Sequence, residues 1–277
     1  MFARGGPVAF RLRTGDRHGM TTTYHDTPGV RLEREGPVAR LLIDRADKRN
    51  AMSSAMWAAV PALVGAAMAD PAVRVLVVQS ATPGLFCAGA DIAEMVARRE
   101  DAAWLAANQA AINRAQHELT RALKPTVAFI DGDCIGGGAG LALACDIRVA
   151  SPHARFGVTP ARLGLVYPLH DTRLLVDLVG PGQAKRLMFT AGLIDAAEAL
   201  RIGLVELLAD SAHDLAATIA RNSGHSQREI KGFVRRVLDG QTGEDAETLR
   251  IFAEAFAGAD FREGTGAFLE KRAAQFE

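Results

Sequence analysis

A glycine-rich turn between an apolar run and a helical run constrains the fold of this chain most strongly. The apolar run Thr126–Ile130 has the composition of a buried strand, and residues 131–140 follow it with five glycines. Small residues at a strand-to-helix junction leave backbone N–H groups uncovered at the start of the helix. The segment therefore predicts an α/β fold in which this turn favours a developing negative charge.

A second segment of small residues, LFCAGAD at residues 85–91, precedes the first one in the chain. Together the two segments have the character of an oxyanion hole. The glycines fit neither G-x-G-x-x-G nor the P-loop pattern, and G-x-S-x-G does not occur, so dinucleotide, P-loop and serine-hydrolase functions lack their motifs. One structural alternative stays open, because glycine-rich turns also let a helix pack closely on a strand.

Further motifs extend this pattern along most of the chain. They are RADKRNAM at 45–52, ACDIRVA at 144–150, ARFG at 154–157, LGL at 163–165, AAEALRIGLV at 196–205 and FREGTGAFLEKR at 261–272. In this order, and together with the two small-residue segments, they resemble the crotonase superfamily, the enoyl-CoA hydratase/isomerase family. The resemblance covers roughly residues 30–272.

The resemblance implies an α/β fold, a crotonase-like spiral of ββα units with a C-terminal helical trimerisation region. Residues 24–210 would form the core and residues 211–277 the helical oligomerisation region, giving a homotrimer or a hexamer built as a dimer of trimers. Residues 1–23 carry four arginines and no apolar signal region. We interpret them as a disordered or misassigned N-terminal extension.

The resemblance also assigns site residues for an acyl-CoA thioester. The two oxyanion donors fall on the backbone N–H groups of Ala90 and Gly137. The residues implied in binding coenzyme A are Lys48, Arg49, Ala88, Asp91, Ile92 and Gly136, with Phe268 and Lys271 reaching a neighbouring subunit's ligand. For Lys271 a solvated surface charge is an equal alternative. No separate cofactor is implied, since coenzyme A enters as part of the substrate.

The chain departs from the family pattern at the proton-transfer positions. Where the hydratases carry two glutamates, this chain has Gly140 and Pro160. Tyr167, His170 and Asp171 lie close together further on and are the candidate acid and base groups. For Asp171 the alternative is an N-cap of the helical run 172–179.

Two functions therefore stay open after the sequence has been read. The first is an acyl-CoA enzyme of lyase or isomerase type that stabilises a thioester enolate. The second is a non-catalytic acyl-CoA-binding homologue; a purely structural subunit of a larger complex is a weaker third possibility. Asp171→Asn separates the first two, because only a catalytic Asp171 predicts lost turnover with ligand binding kept.

Composition limits the classes of partner that we expect this chain to bind. The 32 basic and 32 acidic residues balance, which argues against nucleic acid or a membrane as partner. The three cysteines show no C-x-x-C spacing and the histidines no ligand spacing, so we expect reduced thiols, no metal and a soluble cytoplasmic protein.

Periodicity predicts the main elements. Strands are predicted at residues 38–44, 74–79, 125–130 and 204–208. Helices are predicted from a Ser53 cap onward, with a bend or break at Pro61, and at residues 102–123. From Gly182 the pattern is nearly all helical.

Overall fold

The protein is represented by a computed structural model that describes residues 13–14 and 21–276, with side chains from residue 27. The strands are β1 Arg13–Thr14, β2 Thr21–Thr27, β3 Val30–Glu35, β4 Val38–Ile43, β5 Val75–Ser80, β6 Thr126–Ile130, β7 Asp133–Ile135, β8 Ile147–Ala150, β9 Arg155–Gly157, β10 Ile194–Asp195 and β11 Leu207–Leu208. The α-helices are α1 Ser54–Ala69, α2 Ile92–Ala97, α3 Ala102–Thr120, α4 Gly137–Leu143, α5 Leu169–Thr190, α6 Ala196–Arg201, α7 His213–Arg221, α8 Gly224–Leu238, α9 Ala246–Ala257 and α10 Ala259–Glu270. Short 3-10 turns occupy Ala46–Lys48 and Pro160–Leu163.

The described strands form a large and a small sheet. The large sheet has the order β1-β2-β3-β4-β5-β6-β8-β11, antiparallel from β1 to β4 and parallel from β4 onward. The small sheet has the order β10-β9-β7. Because parallel neighbours need a crossover, α1 connects β4 to β5 and α3 precedes β6. The predicted α/β core followed by a helical C-terminal region is confirmed.

The helix α1 packs its apolar face into the core. Ser53 caps it, with its hydroxyl accepting from Met56 N at 3.3 Å. The residues that α1 buries are Met56, Trp57, Val60, Leu63, Val64 and Ala67. Pro61 does not break α1, which continues through it to Ala69. Packing of the buried face outweighs the lost hydrogen bond at the proline.

The helix α5 consists of two helical pieces. Gly180, at φ 72° and ψ 164°, is not helical and is followed by Pro181. The sequence predicts a helical run over residues 172–179 and a nearly all-helical pattern from Gly182, and α5 is helical on both sides of Gly180. The first piece carries Asp171 toward the centre of the fold, where this side chain is 2% exposed.

The C-terminal helices α8, α9 and α10 leave large apolar side chains in solvent in the single chain. These side chains include Ile230, Val234, Val237, Leu249, Phe252, Phe256 and Phe268. Within the residues that the structure describes, no helix is long and apolar enough to cross a membrane. The expectation of a disordered or misassigned extension concerns mainly residues 1–12 and 15–20, which lie outside the described residues.

Candidate active site

Asn50 anchors the loop that opens the site. Its side chain is fully buried and makes three hydrogen bonds, accepting from Arg45 N at 2.8 Å and donating to Ser80 Oγ at 2.8 Å and Phe86 O at 2.9 Å. Its φ of 58° lies in the left-handed region, which asparagine tolerates better than most residues. Asn50 therefore ties the loop to the end of β5 and to the segment 85–91.

The same loop fixes the segment that carries Ala90. Met52 N donates to Gly89 O at 2.8 Å, and Asp91 N donates to Met52 O at 2.9 Å. Asp91 caps α2 through Glu94 N and pairs with Arg45 at 2.7 Å. The Arg45 guanidinium and these backbone contacts hold the pKa of Asp91 below its usual range. Asp91 thus holds the segment in place through its side chain.

The glycine-rich turn begins α4 with a backbone conformation that only glycine adopts readily. Gly136 is the N-cap at φ 54° and ψ −111°, and its N–H donates to Gly157 O at 2.9 Å. Its carbonyl accepts from Gly140 N at 3.0 Å and from the Tyr167 hydroxyl at 3.2 Å. These contacts set the direction of the Gly137 N–H, the first of the helix.

The backbone N–H groups of Ala90 and Gly137 lie side by side. A Cβ atom built on Gly137 would lie 3.5 Å from Ala90 N, and one built on Gly89 would lie 3.5 Å from Gly137 N. Among the described residues neither N–H donates to a backbone or side-chain acceptor. Two neighbouring unused donors at a helix N-terminus suit a developing oxyanion.

The Trp57 side chain packs in the core beside the N–H groups of Ala90 and Gly137. It is 1% exposed, and its Cζ2 would lie 3.3 Å from a Cβ atom on Gly137. The Trp57 side chain on α1 thus supports the start of α4, and its buried indole Nε1 has no hydrogen-bond partner among the described residues.

Asp171 lies against α4 at Gly140. A Cβ atom on Gly140 would come closer than 3.0 Å to both Asp171 Oδ1 and Gln116 Nε2. Gln116 Nε2 donates to Asp171 Oδ1 at 2.5 Å, while no other described residue donates a hydrogen bond to Oδ2. The N-cap alternative for Asp171 is wrong, because α5 begins at Leu169 after its cap Pro168 and the Asp171 side chain turns inward to α3.

Burial raises the pKa of Asp171 from 3.8 to about 6, although the hydrogen bond from Gln116 works in the opposite direction. A carboxyl group with this pKa is ionised at neutral pH and can accept a proton. Since the space at Gly140 is filled by Asp171 and Gln116, the glycine does not widen the pocket for a bulky acyl group.

The other two acid and base candidates differ in placement. The Tyr167 pKa is raised well above 10 by burial and by nearby Asp171 and Cys134, so this phenol stays protonated. Burial and the neighbouring His117 and Arg173 lower the pKa of His170, whose buried Nε2 has no hydrogen-bond partner in the described part of the chain. The structure therefore brings Tyr167 and Asp171 together and leaves His170 with different neighbours. Pro160 opens a 3-10 turn on the surface side.

Most of the candidate residues for coenzyme A lie around the loop that contains Lys48 and Arg49 and the segment 85–91. Arg49 and Ala88 line a cavity of about 240 Å³ together with Arg155, and Ala88 N donates to Arg49 O at 3.1 Å. Lys48 ends the adjacent 3-10 turn and is exposed, and Ile92, at 45% exposure, begins α2. Gly136 serves the turn described above.

Phe268 and Lys271 lie at the other end of the chain. Phe268 is 81% exposed on α10, and Lys271 ends that helix in the left-handed conformation. Both side chains project from the single chain toward solvent, where a neighbouring subunit could contact them.

The three cysteines are buried free thiols. Burial raises the pKa of Cys87 and of Cys145 to about 12 and that of Cys134 well above 9. Cys87 and Cys134 lie opposite each other in a parallel bridge that joins the segment 85–91 to β7. These thiols therefore pack the two segments together in the protonated form.

The fold and the paired N–H groups define a crotonase-fold protein, and comparison with known proteins agrees. A family model described as enoyl-CoA hydratase/isomerase matches residues 33–277. Crotonyl-CoA hydratase of Syntrophomonas wolfei subsp. wolfei is 35% identical over 88% of this chain and 96% of its own length. Mitochondrial methylglutaconyl-CoA hydratase of Mus musculus is 30% identical over 99% and 92%.

Solved structures are equally similar. The crystal structure of an enoyl-CoA hydratase/isomerase family protein from Hyphomonas neptunium has a TM-score of 0.86 and 40% identity, covering 90% of this chain and 97% of that one. The chain belongs to the enoyl-CoA hydratase/isomerase family of acyl-CoA enzymes.

Proposed function

We propose that this protein catalyses proton transfer at the carbon next to an acyl-CoA thioester, with isomerisation of an enoyl-CoA double bond as the overall reaction. In this proposal Ala90 and Gly137 N–H stabilise the thioester enolate, and Asp171 carries the proton. The observation that carries the proposal is the placement of the Asp171 carboxyl group against Gly140, which lies one helical turn along α4 from Gly137.

The paired N–H groups support the enolate step. When a proton leaves the α-carbon, its bonding electrons move toward the thioester carbonyl, and negative charge accumulates on the oxygen. Each aimed backbone donor contributes roughly 3 kcal/mol to stabilising such a charge. Because backbone donors need no particular side chain, Ala90 and Gly137 fit this role.

The position of Asp171 supports the proton step. The Cα atoms of Gly137 and Gly140 are about 5 Å apart along the helix, since α4 rises about 1.5 Å per residue. The Asp171 carboxyl lies against Gly140 through Oδ1, and Oδ2 is the oxygen that Gln116 leaves available for the proton. A general base with its pKa near the working pH contributes about 10²–10⁴-fold to the rate.

A single carboxylate suits isomerisation. Asp171 takes a proton from one carbon of the acyl chain, the double bond shifts through the enolate, and the same carboxyl returns the proton at the other end of the three-carbon system. No atom is gained or lost, so a second acid at residue 160 is not required.

The test is a time course with 2-enoyl-CoA and 3-enoyl-CoA of short, long and branched chains, with all thioester species separated by mass and retention. We expect interconversion of positional isomers, and exchange of one carbon-bound hydrogen in D₂O. Asp171→Asn should reduce the rate about 10²–10⁴-fold while acyl-CoA binding is kept. Asp177→Asn is the matched control, since Asp177 lies exposed on the same helix and pairs with Arg173 there.

Two outcomes would contradict the proposal. Full turnover by Asp171→Asn would remove Asp171 as the base. Tight acyl-CoA binding with every thioester intact, and no hydrogen exchange, would favour a non-catalytic acyl-CoA-binding homologue.

The rest of the proposal concerns coenzyme A and assembly. Lys48 and Arg49 would contact phosphates, and Arg49 and Ala88 line the cavity described above. The exposed apolar side chains of α8–α10 would be covered in a homotrimer or hexamer, which would place Phe268 and Lys271 against a neighbouring subunit's ligand. Sedimentation of the purified protein measures the assembly, and a stable monomer would remove this part.

A further inference from the structure

Gln116 makes a contact with Asp171 that the core does not require for packing alone. Gln116 lies on the buried face of α3 together with Ala115 and Leu119, and it is 1% exposed. Its Nε2 donates to Asp171 Oδ1 at 2.5 Å. Hydrogen bonds to an ionised acceptor are shorter and stronger than neutral ones. The amide is therefore positioned to interact with the carboxylate form.

The other half of the same amide is unsatisfied. Gln116 Oε1 is buried and has no partner within the described part of the chain. An unpaired buried acceptor is costly, and such groups are rare in folded proteins. An unbranched apolar residue such as methionine would fill similar space without this penalty. The amide therefore satisfies Asp171 Oδ1 at the cost of its own unpaired oxygen, and an apolar residue at position 116 could not supply that donor.

We propose that Gln116 is a positioning residue for Asp171, which engages Oδ1 and leaves Oδ2 as the oxygen that exchanges protons with an acyl-CoA substrate. This inference rests on the proposed function, in which Asp171 carries the proton. The donor also works against the burial of the carboxyl, so that Asp171 ionises at neutral pH.

The surroundings leave this task to Gln116. The element α4 contributes Gly140, which has no side chain. Tyr167 is the nearby titratable group on the same segment, and its raised pKa keeps it neutral at neutral pH. His170 and Arg173 neighbour Asp171 in sequence but have other partners. His170 lies near His117 and Arg173. Arg173 interacts with Asp177, Asp239 and the Leu238 carbonyl. Among the described residues, the amide of Gln116 is thus the side-chain donor to the Asp171 carboxyl, beside the backbone N–H of Asp171 itself.

The test compares Gln116→Met with the matched control Gln109→Met in the full-length protein. Gln109 lies exposed on the same helix and donates to Asn113 at 2.9 Å. The first measurement is the titration of the Asp171 carboxyl by ¹³C NMR of aspartate-labelled protein, with the signal assigned by its loss in Asp171→Asn. The second is the acid limb of the kcat profile, and the third is unfolding in urea.

We expect the Asp171 midpoint to rise by about one to two pH units in Gln116→Met, because a hydrogen bond to the charged form is lost. The acid limb of kcat should move by the same amount, so that turnover falls about three- to twentyfold more at pH 6.5 than at pH 9. The urea midpoint should change little, because removing the unpaired amide oxygen and losing the donor to Asp171 Oδ1 act in opposite directions. Gln109→Met should change none of the three.

Each failure has a distinct meaning. An unmoved Asp171 midpoint in Gln116→Met overturns the role of Gln116, whatever the catalytic activity. A lowered urea midpoint with an unmoved titration assigns Gln116 to stability alone. Full turnover by Asp171→Asn instead overturns the proposed function. If Gln116→Met does not fold, Gln116→Leu provides the same titration with a different apolar side chain.

Discussion

The carboxyl group of Asp171 occupies the space that a side chain on Gly140 would need. A Cβ atom there would lie closer than 3.0 Å to Asp171 Oδ1. Residue 140 is one of the two positions at which the family resemblance places a glutamate. In this chain α5 delivers a carboxylate to the same part of the site from the opposite side, and a glycine on α4 makes that arrangement possible.

The first prediction concerns Gly140→Ala. The added methyl group must displace Asp171 and Gln116, which are both buried. Overpacking costs about 1–3 kcal/mol, offset by up to about 1 kcal/mol from the better helix propensity of alanine. We expect a net loss of about 1–2 kcal/mol in urea unfolding. Displacement of Asp171 should lower kcat about 100-fold.

Gly65→Ala provides the control for this substitution. Gly65 lies exposed inside α1, and nothing lies within 4 Å of a Cβ atom built on it. The helix propensity of alanine should then stabilise the protein by about 0.5–1 kcal/mol with unchanged kcat. A stabilised, fully active Gly140→Ala would show that Asp171 needs no space there.

The second prediction concerns the pH dependence of stability through Asp171. Its folded-state pKa, about 6, lies above its usual 3.8. The protonated form is therefore favoured in the fold, and the stability that this group contributes is fully present below about pH 4 and is lost as pH rises through about 6. The total loss is about 3 kcal/mol, since each pKa unit corresponds to about 1.4 kcal/mol.

Urea unfolding of the wild-type protein and Asp171→Asn at several pH values measures this loss. Other titrating groups cancel in the difference, so the stability of the wild type relative to Asp171→Asn should fall by about 1–2 kcal/mol between pH 5 and pH 8. A difference that is constant over this range would mean that the pKa of Asp171 is ordinary in the folded protein.

Sequence patterns were sufficient for several central strands and helices and for the two small-residue segments that contain Ala90 and Gly137. The predicted strand at residues 125–130 is β6, and the predicted Ser53 cap accepts from Met56 N. These features depend on local spacing and on small residues at a turn, which one sequence displays directly. The effect of Pro61 on α1 was harder to predict, because the helix continues through this proline owing to its packing against segments that are distant in sequence.

The environment of Asp171 could not be read from local sequence. Its partner Gln116 is 55 residues away, and the candidate cap at the start of a helix was an equally valid local interpretation. One signal was available, since Gln116 follows Ala115 and precedes Leu119 at helical spacing and is thus polar on an apolar face. What that amide contacts depends on how α5 packs against α3, which is a tertiary property.

The third prediction concerns Asn50→Ala. The substitution removes three side-chain hydrogen bonds and leaves the buried Phe86 carbonyl and Arg45 N–H without these partners. It also places alanine at φ 58°, where asparagine is tolerated better. We expect a loss of about 3–5 kcal/mol in urea unfolding.

Because Asn50 ties the loop to the segment that carries Ala90, kcat should fall as well. Asn113→Ala on the exposed face of α3 is the control and should stay within about 0.5 kcal/mol of the wild type. Equal stabilities for the two variants would contradict the anchoring role of Asn50.

The fourth prediction separates two roles for Tyr167. Its hydroxyl donates to Gly136 O at 3.2 Å, and that carbonyl also accepts from Gly140 N, so Tyr167→Phe leaves no orphaned acceptor. We expect a stability loss of about 0.5–1.5 kcal/mol. Since its pKa lies well above 10, Tyr167 stays protonated and should add no limb to the pH profile below pH 9.

If the hydroxyl of Tyr167 only holds the turn, kcat falls less than about tenfold, whereas loss of a proton donor would lower it about 10²–10⁴-fold. Steady-state kinetics of Tyr167→Phe across pH 5–9 measure both quantities, and we expect the smaller effect because the phenol is already engaged by Gly136.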